Sequence, residues 1–254
     1  MSSTRVIAVA NQKGGVAKTT TVASLGSALA ELGQRVLLVD LDPQACLTFS
    51  LGIDPEDLDL SIHHVLTKGV PATEVMATTE DGVDILPATI ELARAEADLL
   101  TRTGREHALR MALEDLPDEY DDILIDCPPS LGVLTINALT AADSVLVPLQ
   151  CETLSHRGVG QLLDTVHDVR RFTNRELEVW GVLPTLYDGR TTHARAVLET
   201  ISETYGLEVI EPPIPKSIRF AEAPAAGRSI LTTAGSNKGA EAYRQVAANL
   251  LARG

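Results

Sequence analysis

The sequence predicts an α/β fold: a doubly wound, mostly parallel sheet with helices on both faces. Three observations carry this. Short apolar runs alternate with helical stretches along the 254 residues, a pattern that calls for right-handed strand–helix–strand crossovers. Aromatics make up only 3% of a chain that is 44% hydrophobic, so Val, Ile, Leu and Ala must fill the core, as suits strands buried on both faces. The first apolar run also leads at once into a Gly-rich turn and then a helix, the context of a phosphate-binding loop.

Taken in order, residues 5–10 (RVIAVA) read as a short buried strand. Residues 19–32 have helical periodicity and stop at Gly33, a good residue just past a helix end. Residues 35–40 (RVLLVD) form the next strand, ending on an acid. Further strands are expected at 83–86, Asp122–Asp126, 144–148, 179–183 and 208–211, with helices at 105–114, 158–172, 193–205 and 238–252. Residues 54–61 and 78–82 read as surface loops. In the last helix Tyr243, Val246, Ala247, Leu250 and Leu251 fall at i, i+3, i+4, i+7 and i+8, a stripe expected to pack into the core. No repeat, low-complexity tract or linker interrupts the chain, so residues 1–254 are expected to form one domain.

Charge is unevenly spread. The net charge is −14, yet residues 153–254 hold 12 Lys and Arg against 11 acids, a net of +1, while residues 1–152 carry −15. A neutral or basic face can therefore coexist with an acidic whole. Scarce aromatics argue against stacking of single-stranded bases. Cys46, Cys127 and Cys151 show no metal-ligand spacing and read as reduced structural thiols. The N-terminus has no signal-peptide apolar region and no run is long enough to span a bilayer, so a cytoplasmic protein without a membrane partner is expected.

The turn at residues 13–20 reads K-G-G-V-A-K-T-T. It departs from G-x-x-x-x-G-K-[ST], because Gln12 and Ala17 stand at the two glycine positions. Glycines between a strand and a helix let backbone N–H groups converge on phosphate oxygens, and the helix dipole adds to the attraction. Gly14, Gly15, Val16, Ala17, Lys18, Thr19 and Thr20 are thus the expected phosphate cradle. Lys18 is expected on the β and γ phosphates, Thr19 on Mg2+ and Thr20 on the α phosphate. Ala17 is expected at negative φ, since alanine is strained at positive φ.

KGGVAKTT, LVDLDPQ (residues 38–44) and ILIDCPPS (residues 123–130) resemble the deviant Walker A, A′ and Walker B motifs of the ParA/Soj branch of the ParA/MinD ATPases. The likeness continues through LTINALTAADSVLVPLQCE, TLYDGRTTHA, IPKSIRFAEAP and NKGAEAYRQVA, and so runs over essentially the whole chain. It implies an Mg2+-dependent ATPase that binds ATP and closes a homodimer over two nucleotides. Lys13 is similar to the signature lysine that crosses to the partner's phosphates, and Gly14 to the small residue that permits that approach. Asp42 is similar to the acid that positions the attacking water and Asp126 to the Walker B acid near Mg2+, which also places both carboxylates with Thr19 around the metal. Choosing Asp42 over Asp40 rests on the family pattern. The segment at 152–158, ETLSHRG, stands in place of the branch's EYYALEG and sets this chain apart.

The resemblance also implies non-specific binding of double-stranded DNA in the ATP state, through Arg190 and Arg219, with Lys216 and Arg195 as nearby additions. Pro215, Glu222, Ala223 and Pro224 are similar to the loop that packs on adenine. The implied role is chromosome or plasmid partitioning with a ParB-like or other adaptor, on the nucleoid when ATP is bound. Two alternatives remain: an orphan ATPase that positions a division site or other cargo, and a membrane switch of the MinD type. The last helix, Ala-rich with few cations, disfavours the latter. Metabolic synthetases of the superfamily need a substrate pocket, for which the sequence carries no signal.

Overall fold

A computed structural model describes residues 4–117, 119–152 and 155–253; residues 1–3, and residues 153 and 154 of the ETLSHRG segment, lie outside the described residues. Among the described residues, seven strands form one sheet: β1 (Arg5–Val9), β2 (Val36–Asp40), β3 (Ala77–Thr78), β4 (Asp84–Leu86), β5 (Asp122–Asp126), β6 (Ser144–Gln150) and β7 (Glu178–Thr185). Their order is β3-β4-β2-β5-β1-β6-β7, parallel throughout except for β3 against β4. The expected doubly wound sheet is present. From β1 the chain winds to one side to form β2 and later to the other to form β6 and β7. This opens a crevice at the C-terminal end of β1, where such folds bind ligands.

Side chains alternate across the pleat, and each strand therefore feeds two cores. Leu37, Val39, Ile123, Ile125 and Val145 pack on one face beneath α3 (Ile62–Lys68), α5 (Leu92–Leu100), α6 (Ala108–Glu114), α7 (Val133–Ala141) and α8 (Ser155–Phe172). Leu38, Leu124 and Leu146 pack on the other beneath α1 (Lys18–Glu31) and α12 (Lys238–Leu251). The stripe foreseen on α12 is core: Tyr243, Val246, Ala247 and Leu250 are buried, and the Tyr243 hydroxyl lies 2.9 Å from Thr21 Oγ1 of α1. Gly33 takes φ 87° after α1, as its position at the helix end demands.

Two expectations need correction. Residues 208–211 make a single bridge, Val182 with Val209, in place of a strand. Pro212 and Pro213 follow immediately and have no N–H to continue a ladder. Residues 105–114 are a 3-10 turn (Arg105–His107) followed by α6, because His107 leaves helical geometry at φ −103°, ψ 1°. The remaining helices are α2 (Cys46–Ser50), α4 (Ala72–Val75), α9 (Thr192–Tyr205), α10 (Arg219–Glu222) and α11 (Ile230–Thr233). No helix among the described residues is long and apolar enough to cross a membrane.

Candidate nucleotide site

Register alone assembles the acids. Asp126 at the end of β5 sits between Val9 of β1 and Asp40 of β2. The Gly-rich turn leaves β1 directly above them and is tied down at three points. Asn11, buried, donates through Nδ2 to the Pro148 carbonyl (2.8 Å) and accepts from the Lys13 N–H (3.0 Å). Thr185, at the end of β7, donates to the Val16 carbonyl (2.9 Å). Lys18 Nζ reaches back to the Lys13 carbonyl (3.2 Å). Neither Asn11 nor Thr185 was assigned a role from the sequence; Asn11 had a signal in its place next to the turn, and Thr185 opens the TLYDGRTTHA segment, which does not disclose its bond to Val16.

Ala17 corrects an expectation. It takes φ 64°, ψ 35°, left-handed, at the N-cap of α1. The turn must reverse there to start the helix while Val16 is held by Thr185, and this closure overrides alanine's local preference. Because no side chain caps α1, its first N–H groups stay available to an anion.

Lys18 is buried beside Asp126, Cys127 and Asp42; burial pushes its ammonium pKa down, and these neighbours oppose that. Asp126 is 1% exposed, and neither carboxylate oxygen has a hydrogen-bond partner among the described residues. Burial, reinforced by Asp40, pushes its pKa well up, with the Thr19 hydroxyl and Lys18 acting the other way. A buried carboxylate helped only by Thr19 and Lys18 is costly. A cation held between Asp126 and the Thr19 hydroxyl would relieve that cost, so the residues present fit Mg2+.

The two acids of LVDLDPQ separate cleanly. Both Asp40 oxygens are taken, one by the Asp42 N–H (3.1 Å), the other by the Thr48 N–H (2.9 Å) and hydroxyl (2.7 Å). Asp40 thus fastens the loop to α2. Asp42 accepts from the Gln44 N–H (3.0 Å), is partly exposed and lies close enough to Lys18 to act on its charge. Of the two acids, Asp40 is therefore committed to structure and Asp42 is the more accessible.

Lys13 forms an ion pair with Glu152 of its own chain. Beside this pair a cavity of about 390 Å3, lined in part by Asn11, Gln12, Pro129, Ser155 and Gln161, opens between the turn and α8. Its wall includes Ser155 and Gly158 of the ETLSHRG segment, though a cavity there was not foreseen.

Ala223 and Pro224 come next to Thr19 and Thr20, together with Phe220, Ser50 and Arg228, which the sequence reading had not included. The space between them is about 30 Å3, enough for a water or two and too small for a base with the walls as they stand. Pro215 and Glu222 do not line that space: Pro215 bridges Tyr187, and Glu222 pairs with Arg219. The Tyr187–Pro215 bridge brings the loop carrying Arg190 alongside the one carrying Lys216 and leading to Arg219. Arg195 lies on the exposed first turn of α9.

Residues 4–179 match the family described as an AAA domain. The chain is 44% identical over 251 residues to the sporulation initiation inhibitor protein Soj of Bacillus subtilis, covering 98% of this chain and 99% of that one. It is 41% identical over 250 residues to the chromosome partitioning protein ParA of Myxococcus xanthus, covering 98% and 88%. Among solved structures, a cobyrinic acid a,c-diamide synthase from Mycobacterium smegmatis, with bound ATP analog and magnesium, superposes with TM-score 0.88 at 57% identity, covering 98% and 94%.

Proposed function

Because the chain belongs to the ParA/Soj branch of the ParA/MinD family of P-loop ATPases and is an Mg2+-dependent ATPase, we propose that residues 1–254 act as one domain that uses ATP as a switch for holding DNA. In this cycle ATP closes a homodimer, the joined surface holds duplex DNA without reading its sequence, and hydrolysis releases it. The cell process is chromosome or plasmid partitioning, with a ParB-like adaptor to speed turnover.

One observation supports this most directly. The segment at 214–224 carries both the base walls, Ala223 and Pro224, and two of the DNA cations, Lys216 and Arg219. Parting of the walls around a base therefore moves the cations' own backbone. Lys18 and the α1 N-terminus neutralise phosphate charge, and Asp42 orients the water for in-line attack. Thr19 and Asp126, with Asp42 close by, would hold Mg2+, which would supply further charge neutralisation. Lys13 leaves Glu152 to reach the partner's phosphates, across the gap that Gly14 keeps open.

The test is duplex binding by Asp42→Ala with ATP and with ADP across a salt series. ATP-dependent, sequence-independent, salt-sensitive binding that is lost in Arg219→Ala supports the switch. An ATP dimer that ignores DNA at low salt would sink it and leave an orphan positioning ATPase.

A second reading is favoured by the 57% identity to a protein named a diamide synthase and by the cavity beside Lys13, which could hold an acceptor carboxylate next to the phosphates. ATP turnover that depends on cobyrinic acid and an ammonia donor, and ignores DNA, would establish it.

A further inference from the structure

The cations assigned to DNA fall into two classes. Arg190, whose side chain is 91% exposed, is gripped by Asp188 in a fork: Nε to Oδ1 and Nη2 to Oδ2, each 2.9 Å. Arg219 Nη1 bonds Glu222 Oε2 at 2.7 Å, one turn along α10. Lys216 and Arg195, by contrast, form no ion pair among the described residues. The fork that Asp188 offers Arg190 has the geometry by which an arginine grips a phosphate. A phosphate and the carboxylate therefore compete for the same guanidinium edge.

Resting on the reading of duplex DNA as the partner, we propose that Asp188 and Glu222 are built-in counter-charges that occupy Arg190 and Arg219, so that each DNA phosphate must displace a carboxylate of the protein's own. Lys216 and Arg195 make the first, weak contact, and the two arginines join once the local phosphate density outcompetes their acids. This keeps an acidic protein off stray anions and lets it bind a dense polyanion, and it makes the retained affinity a property of the acids as much as of the arginines. Asp188 acts through Arg190 and is a positioning residue in this sense.

The experiment measures binding of a fluorescent duplex, by anisotropy across a salt series with ATP, for the wild type, Asp188→Asn, Arg190→Ala, Asp188→Asn/Arg190→Ala and Glu74→Gln. Glu74 is exposed and makes no ion pair among the described residues, so its variant makes the same charge change away from any arginine. An exposed pair shifts an equilibrium by roughly 1.4- to 5-fold. With one pair in each protomer of a dimer, the two gains multiply, and Asp188→Asn is expected to bind about two- to 25-fold tighter at low salt. Its log–log salt slope should be steeper by up to about one for each phosphate newly engaged. Both effects should vanish in the Arg190→Ala background. Equal gains in Asp188→Asn and Glu74→Gln, or no gain in Asp188→Asn, overturn the counter-charge role while leaving DNA binding intact. Absence of binding by every variant, including Asp188→Asn, overturns both this proposal and the DNA reading beneath it.

Discussion

Ala17 is held left-handed at φ 64°, a conformation that costs an L-residue roughly 1–2 kcal/mol. Glycine at that position carries no such penalty. Ala17→Gly is expected to stabilise the nucleotide-free protein by about 1 kcal/mol, seen as a Tm about 2–4 °C higher in thermal unfolding. An unchanged or lower Tm would show that the methyl group's packing outweighs the strain. The phosphate turn itself was readable from the spacing of Lys13, Gly14, Gly15, Lys18 and Thr19 after an apolar run. The backbone at Ala17 was not, because it is set by Thr185, 169 residues from Val16, and local preference carries no record of so distant a bond. The same holds for Asp40 and Asp42: the sequence shows two acids, and the donors from Thr48 decide which one stays free.

At the scale of elements, α2 is the short piece that ties the loop carrying Asp42 to the turn carrying Ala223 and Pro224. It starts four residues after Asp42 and leads into Gly52, whose backbone meets that of Gly227 at the end of the turn Ala223–Ala226. A Cβ on Gly227 would lie 2.8 Å from Gly52 Cα, and Gly227 also takes φ 65°. Gly227→Ala is therefore expected to push the base walls off α2 and weaken ATP by about tenfold, equivalent to roughly 1.4 kcal/mol. Binding of inorganic tripolyphosphate, which has no base, should change little. Equal weakening of both, read by competition with a fluorescent nucleotide, would show a general loss of fold. Asp42, Ala223 and Pro224 were named from the sequence, but α2 and the Gly52–Gly227 contact that join them were not. α2, α3 and α5 have 5, 7 and 9 residues, shorter than the window in which helical periodicity declares itself. β3 has only two residues and finds its place through β4. The long helices and the buried parallel strands announced themselves because burial on both faces leaves unbroken apolar runs.

For the molecule as a whole, the buried Asp126 carboxylate and the uncapped α1 N-terminus are unmet demands that Mg2+-ATP would satisfy. A ligand at about 100 times its Kd stabilises the native state by roughly 2.7 kcal/mol, so saturating Mg2+-ATP is expected to raise the Tm by about 5–10 °C. Adding a chelator at constant ATP should remove most of that gain, because Asp126 then faces the phosphates without a counter-ion. A rise that survives chelation would show that Lys18 and the backbone amides alone account for binding. The charge asymmetry between the two halves was readable at this scale, and the structure adds where it matters. Much of the Arg charge in the second half is already matched by a nearby acid, as in Arg190, Arg219, Arg228, Arg244 and Arg253.

The strand order has a consequence for how this protein is made. β1 occupies an interior position, with β5 and β6 as its neighbours, and Arg5 pairs with Asp122, 117 positions later. On a ribosome adding roughly 5–20 residues per second, β1 waits about 6–25 s before either neighbour exists. Throughout that interval RVIAV and the nucleotide turn emerge as an unpaired apolar segment, the kind of exposed edge that nascent-chain chaperones cover. The part of the chain that defines the ATPase is thus translated early and structured late, and no nascent fragment that stops before β5 can assemble the nucleotide site.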